Sequence, residues 1–96
     1  MLAMADSLGM RRRPHAELLQ LFSSPVRLII FDRLGRKPRT AGELAKELPV
    51  SRTAVVQHLS ILKAAGLVAA IPEGKRRIYR VTPRGLAPLK DWLSGF

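Results

Sequence analysis

The chain has 96 residues, 47% of them hydrophobic, and carries 17 Lys and Arg against 7 Asp and Glu, a formal charge of +10. That length accommodates one domain with little surplus stability from its own core, which leaves apolar surface for a partner chain. The charge attracts polyanions over a Debye length of about 8 Å, nucleic acid first and an anionic membrane second; the absence of cysteine excludes disulfides, thiolate metal sites and cysteine nucleophiles.

Residues 1–14 hold Gly9, the triplet Arg11-Arg12-Arg13 and Pro14 without a sustained period, and read as a flexible basic arm. The triplet follows the apolar stretch of residues 1–10, whereas a secretory signal places its basic residues first. The longest apolar runs, 28–31 and 67–71, fall far short of the roughly 20 residues of a membrane span. A soluble cytoplasmic protein without a membrane partner is therefore expected, with its domain over residues 15–96.

That domain opens with a short helix over 15–22. Ser24-Pro25 supplies an N-cap and a first-turn proline for a second helix, in which Val26, Ile29, Ile30 and Leu34 recur at helical spacing until Gly35. Thr40-Ala41-Gly42-Glu43 has capping-box spacing and starts a third helix that Pro49 stops. Ser51 caps a fourth, with Val55, Leu59 and Leu62 on one face and Gly66 as its terminator. Two helices joined only by Leu48-Pro49-Val50 form a helix-turn-helix, whose second helix enters the major groove of a duplex.

With Val55, Leu59 and Leu62 turned inward, Arg52, Thr53, Val56, Gln57 and Ser60 point outward, because helical residues advance about 100° each. Gln57 suits bidentate pairing with adenine, Arg52 suits guanine or a phosphate, and Thr53 and Val56 suit a thymine methyl. His58 sits at the margin of the apolar stripe, where a packed or capping role is as consistent as a phosphate contact. Residues 67–71 and 77–81 read as a hairpin turned at Pro72-Glu73-Gly74. Its tip and second strand carry Lys75, Arg76, Arg77 and Arg80, with Glu73 the one nearby acid in sequence, as a phosphate-contacting wing requires. Tyr79 reads as hairpin packing. Thr82-Pro83 is expected to cap a last helix with an apolar stripe of Leu86, Leu89, Trp92, Leu93 and Phe96; the helix is too short to stand alone and seeks a partner surface.

Pro25-Val26-Arg27-Leu28-Ile29, Gly42-Glu43-Leu44-Ala45, Ser51 with Val55 and His58-Leu59, Leu62-Lys63-Ala64-Ala65-Gly66-Leu67-Val68, and Gly74-Lys75-Arg76-Arg77-Ile78-Tyr79-Arg80-Val81 together resemble ArsR-type winged-helix repressors over about residues 16–93. The resemblance implies a mainly α fold with a small β-hairpin, and a homodimer through the first and last helices. Leu18, Leu19, Phe22, Leu86, Leu89, Trp92 and Leu93 stand at the corresponding interface positions. It further implies that Ser51, Arg52, Thr53, Val56, Gln57, His58 and Ser60 meet DNA while Lys75, Arg76 and Arg77 reach flanking phosphates or the minor groove. The partner is then double-stranded DNA with an inverted-repeat operator, its half-site centres about 34–36 Å apart.

Departures from the family pattern carry expectations of their own. Where many relatives place a cysteine pair, residues 42–46 read Gly-Glu-Leu-Ala-Lys, and the last helix offers Asp91 but no histidine, so no metal sensing and no cofactor are expected. Val56 stands where relatives commonly carry a small hydroxyl residue, which alters the base preference. His15 and His58, on different helices without an acidic partner, do not assemble a nucleophile, and no enzyme is expected. The residues alone leave two other readings open: a nonspecific or architectural nucleic-acid binder held by charge, and a winged-helix protein-interaction module. They name no operator sequence and no small-molecule effector, and the Arg11–Arg13 arm reads first as a basic tail and second as a minor-groove arm.

Overall fold

The computed structural model describes residues 13–96. Over that span the chain forms α1 (Pro14–Leu21), α2 (Pro25–Arg36), α3 (Ala41–Glu47), α4 (Arg52–Ala64), β1 (Val68–Glu73), β2 (Arg76–Val81), a 3-10 turn (Pro83–Leu86) and α5 (Ala87–Ser94). This is a winged helix-turn-helix: α3 and α4 are the motif, and the antiparallel β1–β2 hairpin is the wing. Arg11 and Arg12 of the expected arm lie outside the described residues, and Pro14 already sits in the first turn of α1.

Three of the helices begin where a short polar side chain can satisfy an orphan amide. Ser24 Oγ accepts from the Arg27 N–H at 3.4 Å, and Ser51 Oγ accepts from the Ala54 N–H at 3.1 Å. At α3 the capping box closes in both directions, with the Glu43 N–H on Thr40 Oγ1 at 3.1 Å and the Thr40 N–H on Glu43 Oε1 at 2.9 Å. Helix α4 ends in a paired reversal: the Gly66 N–H reaches the Lys63 carbonyl and the Leu67 N–H the Leu62 carbonyl, both at 3.0 Å. That geometry needs the positive φ of 76° that Gly66 adopts.

The core gathers Ile30 and Leu34 of α2, Leu44 of α3, Val55, Leu59 and Leu62 of α4, and Leu67, Val68 and Tyr79 from the hairpin region. Each leucine- or isoleucine-sized side chain buried there contributes about 1.5–3 kcal/mol through its removal from water. Ile29, expected on the inward stripe of α2, is 41% exposed. Ile30 and Leu34, four residues apart, set the inward direction, and Ile29 is turned about 100° from it. Helix α2 also runs through Gly35 to Arg36 before Lys37 becomes extended.

The hairpin is longer and its turn tighter than expected. Register pairs Pro72 with Arg77 and Glu73 with Arg76, so the turn is Gly74-Lys75, with Gly74 at φ 63° in the first loop position. Primed two-residue turns demand positive φ at that position, and this moves the turn one step past Pro72-Glu73. Pro72 is tolerated because β1 is an edge strand. On the other side of β2, Arg39 and Tyr79 exchange backbone hydrogen bonds of 3.0 and 2.8 Å, which tie the wing to the segment before α3.

The last helix differs most. Thr82 makes no side-chain cap; a 3-10 turn intervenes and α5 starts only at Ala87. Pro88 lacks the N–H that would join the two into one α-helical ladder. Gly85 in the 3-10 turn approaches the end of α4 so closely that a Cβ on it would lie 2.2 Å from the Gly66 carbonyl oxygen. Helix α5 packs on α1, and Phe96, placed on its apolar stripe by spacing, lies past the helix end and is 91% exposed.

Candidate nucleic-acid interface

Helix α4 presents Arg52, Thr53, Val56, Gln57 and Ser60 on its exposed side, as helical spacing requires, while Val55, Leu59 and Leu62 are fully buried beneath them. The exposed set has no acid in its first turn, so the positive end of the helix dipole adds to Arg52. Ser51 is also exposed, but its hydroxyl oxygen is engaged as the N-cap. Ser60 donates to the Val56 carbonyl of its own helix at 3.0 Å, which leaves its oxygen lone pairs as the outward feature. His58 stands apart from this face: it is half-buried, and its Nδ1 is enclosed without a hydrogen-bond partner among the described residues. Ile61, absent from the expected set, is exposed on the same helix. The inward stripe of Val55, Leu59 and Leu62 already turns position 61 outward beside Gln57, and only its apolar type kept it out of the expected polar set.

Lys75, Arg76 and Arg77 are all exposed on the wing. Together with Arg52 and Val56 of α4, and with Thr40, Gly42, Glu43 and Lys46 around α3, they line an open cleft of about 660 Å³ floored in part by Tyr79. The fold thus brings Arg52 and Val56 of the recognition helix and the three wing cations to one cationic recess, while Thr53, Gln57 and Ser60 are exposed on α4 outside its lining. Lys46 joins the recess as a cation the sequence reading did not include. Two acidic residues of α3 organise the surroundings. Glu47 Oε2 pairs with Arg39 Nη1, and with Arg33 Nη1 at 3.3 Å, linking α2, the wing-contacting Arg39 and the end of α3. Glu43 Oε1 meets Arg76 Nη2 at 3.3 Å across the cleft. The Thr40 N–H bonded to its carboxylate holds the Glu43 pKa below its ordinary value, with the Thr40 hydroxyl, Arg76 and Lys37 acting in the same sense.

The expected interface residues of the first and last helices divide between interior and surface. Leu18 is 6% exposed and belongs to the protomer's own core, because α1 turns it, with Leu21, toward Ala65, Gly85 and Pro88. Phe22, Leu86 and Leu89 are half-buried and pack on that core, Phe22 edge-on to Phe31 at 5.0 Å. Leu19, Trp92 and Leu93 remain exposed, Leu93 the most of these at 62%. Trp92 stacks on His15 of α1 at 5.0 Å with an interplanar angle of 7°, and Phe96 meets it edge-on at 5.4 Å. The stacking of His15 on Trp92 escaped the sequence reading, since the two lie at opposite ends of the chain. Among the described residues no three His, Cys, Asp or Glu side chains cluster to hold a metal ion, and no helix is long and apolar enough to cross a membrane.

Comparison with known proteins agrees with this architecture. A family model described as a helix-turn-helix domain matches residues 22–70. The HTH-type transcriptional regulator Rv2034 of Mycobacterium tuberculosis is 48% identical over 77 residues, covering 80% of this chain and 72% of that protein. Among solved structures, an ArsR-like transcriptional regulator from Rhodococcus sp. RHA1 superposes with a TM-score of 0.75 at 34% identity, over 84% of this chain and 76% of that one. A possible transcriptional regulator for arsenical resistance gives a TM-score of 0.73 at 37% identity, over 81% of each chain. Fold, cleft and relatives converge: the chain belongs to the ArsR-type winged helix-turn-helix family of DNA-binding transcriptional regulators.

Proposed function

We propose that the protein is a sequence-specific, cytoplasmic repressor that binds an inverted repeat in double-stranded DNA as a homodimer, α4 in the major groove and the wing on flanking phosphates. The observation that carries this reading is the acid-poor outward face of α4, whose Arg52 and Val56 share one cleft with Lys75, Arg76 and Arg77. The polar face supplies base contacts and the wing supplies sequence-independent charge, the division of labour that protein–DNA recognition uses. Repression follows from occupancy of the promoter against polymerase. The thiol chemistry of an arsenic sensor has no counterpart in this cysteine-free chain.

Binding to the region upstream of the protein's own gene, measured against competitor DNA over a salt series, tests the reading. Gln57→Ala is expected to change preference among sites by about 1–3 kcal/mol, whereas Arg77→Ala weakens all sites alike and flattens the salt dependence by about one counterion. Equal competition by every sequence would instead leave a nonspecific binder, and no binding at low salt would leave a protein-interaction module.

For the dimer, the exposed Leu19, Trp92 and Leu93, with the apolar groove of Leu86, Leu89 and Leu93 beside Lys90 and Ser94, support association through α1 and α5. Leu93 is the cleaner probe, because Trp92 is also engaged with His15 inside the protomer. Leu93→Asp is expected to yield monomers in sedimentation velocity with the fold intact by circular dichroism. A Leu93→Asp protein that sediments as a dimer would exclude this face.

A further inference from the structure

Resting on the DNA-binding reading, we infer that Glu43 is a built-in competitor for the wing: its carboxylate occupies, in the free protein, the place at Arg76 that a DNA phosphate takes in the complex, and so sets the affinity downward. Sequence alone gives Arg76 no such partner. Its register neighbour across the turn is Glu73, yet the guanidinium reaches over the cleft to Glu43, 33 residues away, at 3.3 Å.

The geometry makes Glu43 a fixed rather than a mobile counter-charge. The same Oε1 that meets Arg76 accepts the Thr40 N–H, and the Glu43 N–H returns to Thr40 Oγ1, so the carboxylate is anchored at the start of α3 whether or not Arg76 is present. Arg76, by contrast, sits at the first position of β2 beside the turn, and Glu43 is the one partner of its exposed guanidinium among the described residues. Both side chains are about half exposed, so water screens the pair and an arriving phosphate can displace it. Once Arg76 has left, Glu43 remains on the cleft wall as a negative charge that has lost its closest cation, with Lys37 still acting on it. Both effects oppose binding, and both are independent of base sequence because phosphate contacts carry none.

The test is Glu43→Gln, which keeps a side chain able to complete the capping box while removing the charge. Affinity is measured by fluorescence anisotropy on a labelled duplex from upstream of the protein's own gene and on an unrelated duplex of equal length. Glu43→Gln is expected to bind both about two- to fivefold tighter per wing engaged, with a salt slope steeper by about one. In an Arg76→Gln background the same substitution should keep only the part of its gain that comes from relieving Glu43–phosphate repulsion, and this smaller gain separates action through Arg76 from a general change of net charge. Unchanged or weaker binding by Glu43→Gln, at an unaltered melting temperature, would overturn the inference, as would a gain that survives whole in the Arg76→Gln protein. Wild-type protein that binds neither duplex removes the DNA reading and the inference with it, a result distinct from wild-type binding that Glu43→Gln leaves unaltered.

Discussion

Gly85→Ala is expected to lower the unfolding free energy by about 2–3 kcal/mol, and the melting temperature of a domain this size by about 10–20 °C. The added Cβ would lie 2.2 Å from the Gly66 carbonyl oxygen, 2.8 Å from its carbon and 3.2 Å from the Leu67 Cα. All three are backbone atoms, so no side chain can rotate aside. The segment they belong to is itself pinned, since Gly66 and Leu67 close the end of α4 and the Leu67 carbonyl accepts the Thr82 N–H at 2.8 Å. Relief must therefore come from moving the 3-10 turn away from the end of α4, which disturbs the packing of the adjoining α5 on α1. Gly35→Ala serves as the comparison: its Cβ meets nothing within 4 Å, and alanine inside a helix is favoured over glycine, so stability should hold or rise by about 0.5 kcal/mol. Thermal melts of the two variants that coincide would show that the close approach at Gly85 is not rigid.

The second large effect is expected at Leu59. Truncation to alanine should remove about 2–5 kcal/mol, a large part of the stability of a small domain, and should shift the urea midpoint accordingly. Leu59 is fully buried between Val55 and Leu62 on α4, two residues from Gln57 on the opposite face, so its loss also loosens the helix that carries the proposed base contacts. Ile61→Ala, on the same helix but exposed, should change stability by less than about 0.5 kcal/mol. A Leu59→Ala protein within about 1 kcal/mol of wild type would mean that the core collapses around the gap.

The local features were legible because their causes are local. Ser24, Thr40 with Glu43, and Ser51 act on amides three residues ahead, so cap positions and helix starts follow from spacing. The outward set on α4 was legible for the same reason: one strong apolar stripe fixes the opposite face. Where the stripe is ambiguous, the reading slips, as with Ile29 beside Ile30. Leu18 shows the limit from the other side. An apolar residue on a short helix suits a partner's surface and its own core equally well, and only the position of α5 and the end of α4 decides for the core.

The order of elements, the caps at Ser24, Thr40 and Ser51, and the acid-poor face of α4 beside a basic hairpin were determined by the chain itself, because each depends on interactions within a few residues. Only the tertiary structure decided that Glu43 meets Arg76, that Trp92 stacks on His15, that Gly85 must lack a side chain, and that helix and wing share one cleft. These contacts join residues distant in sequence, and no periodicity or spacing encodes a distance across the fold.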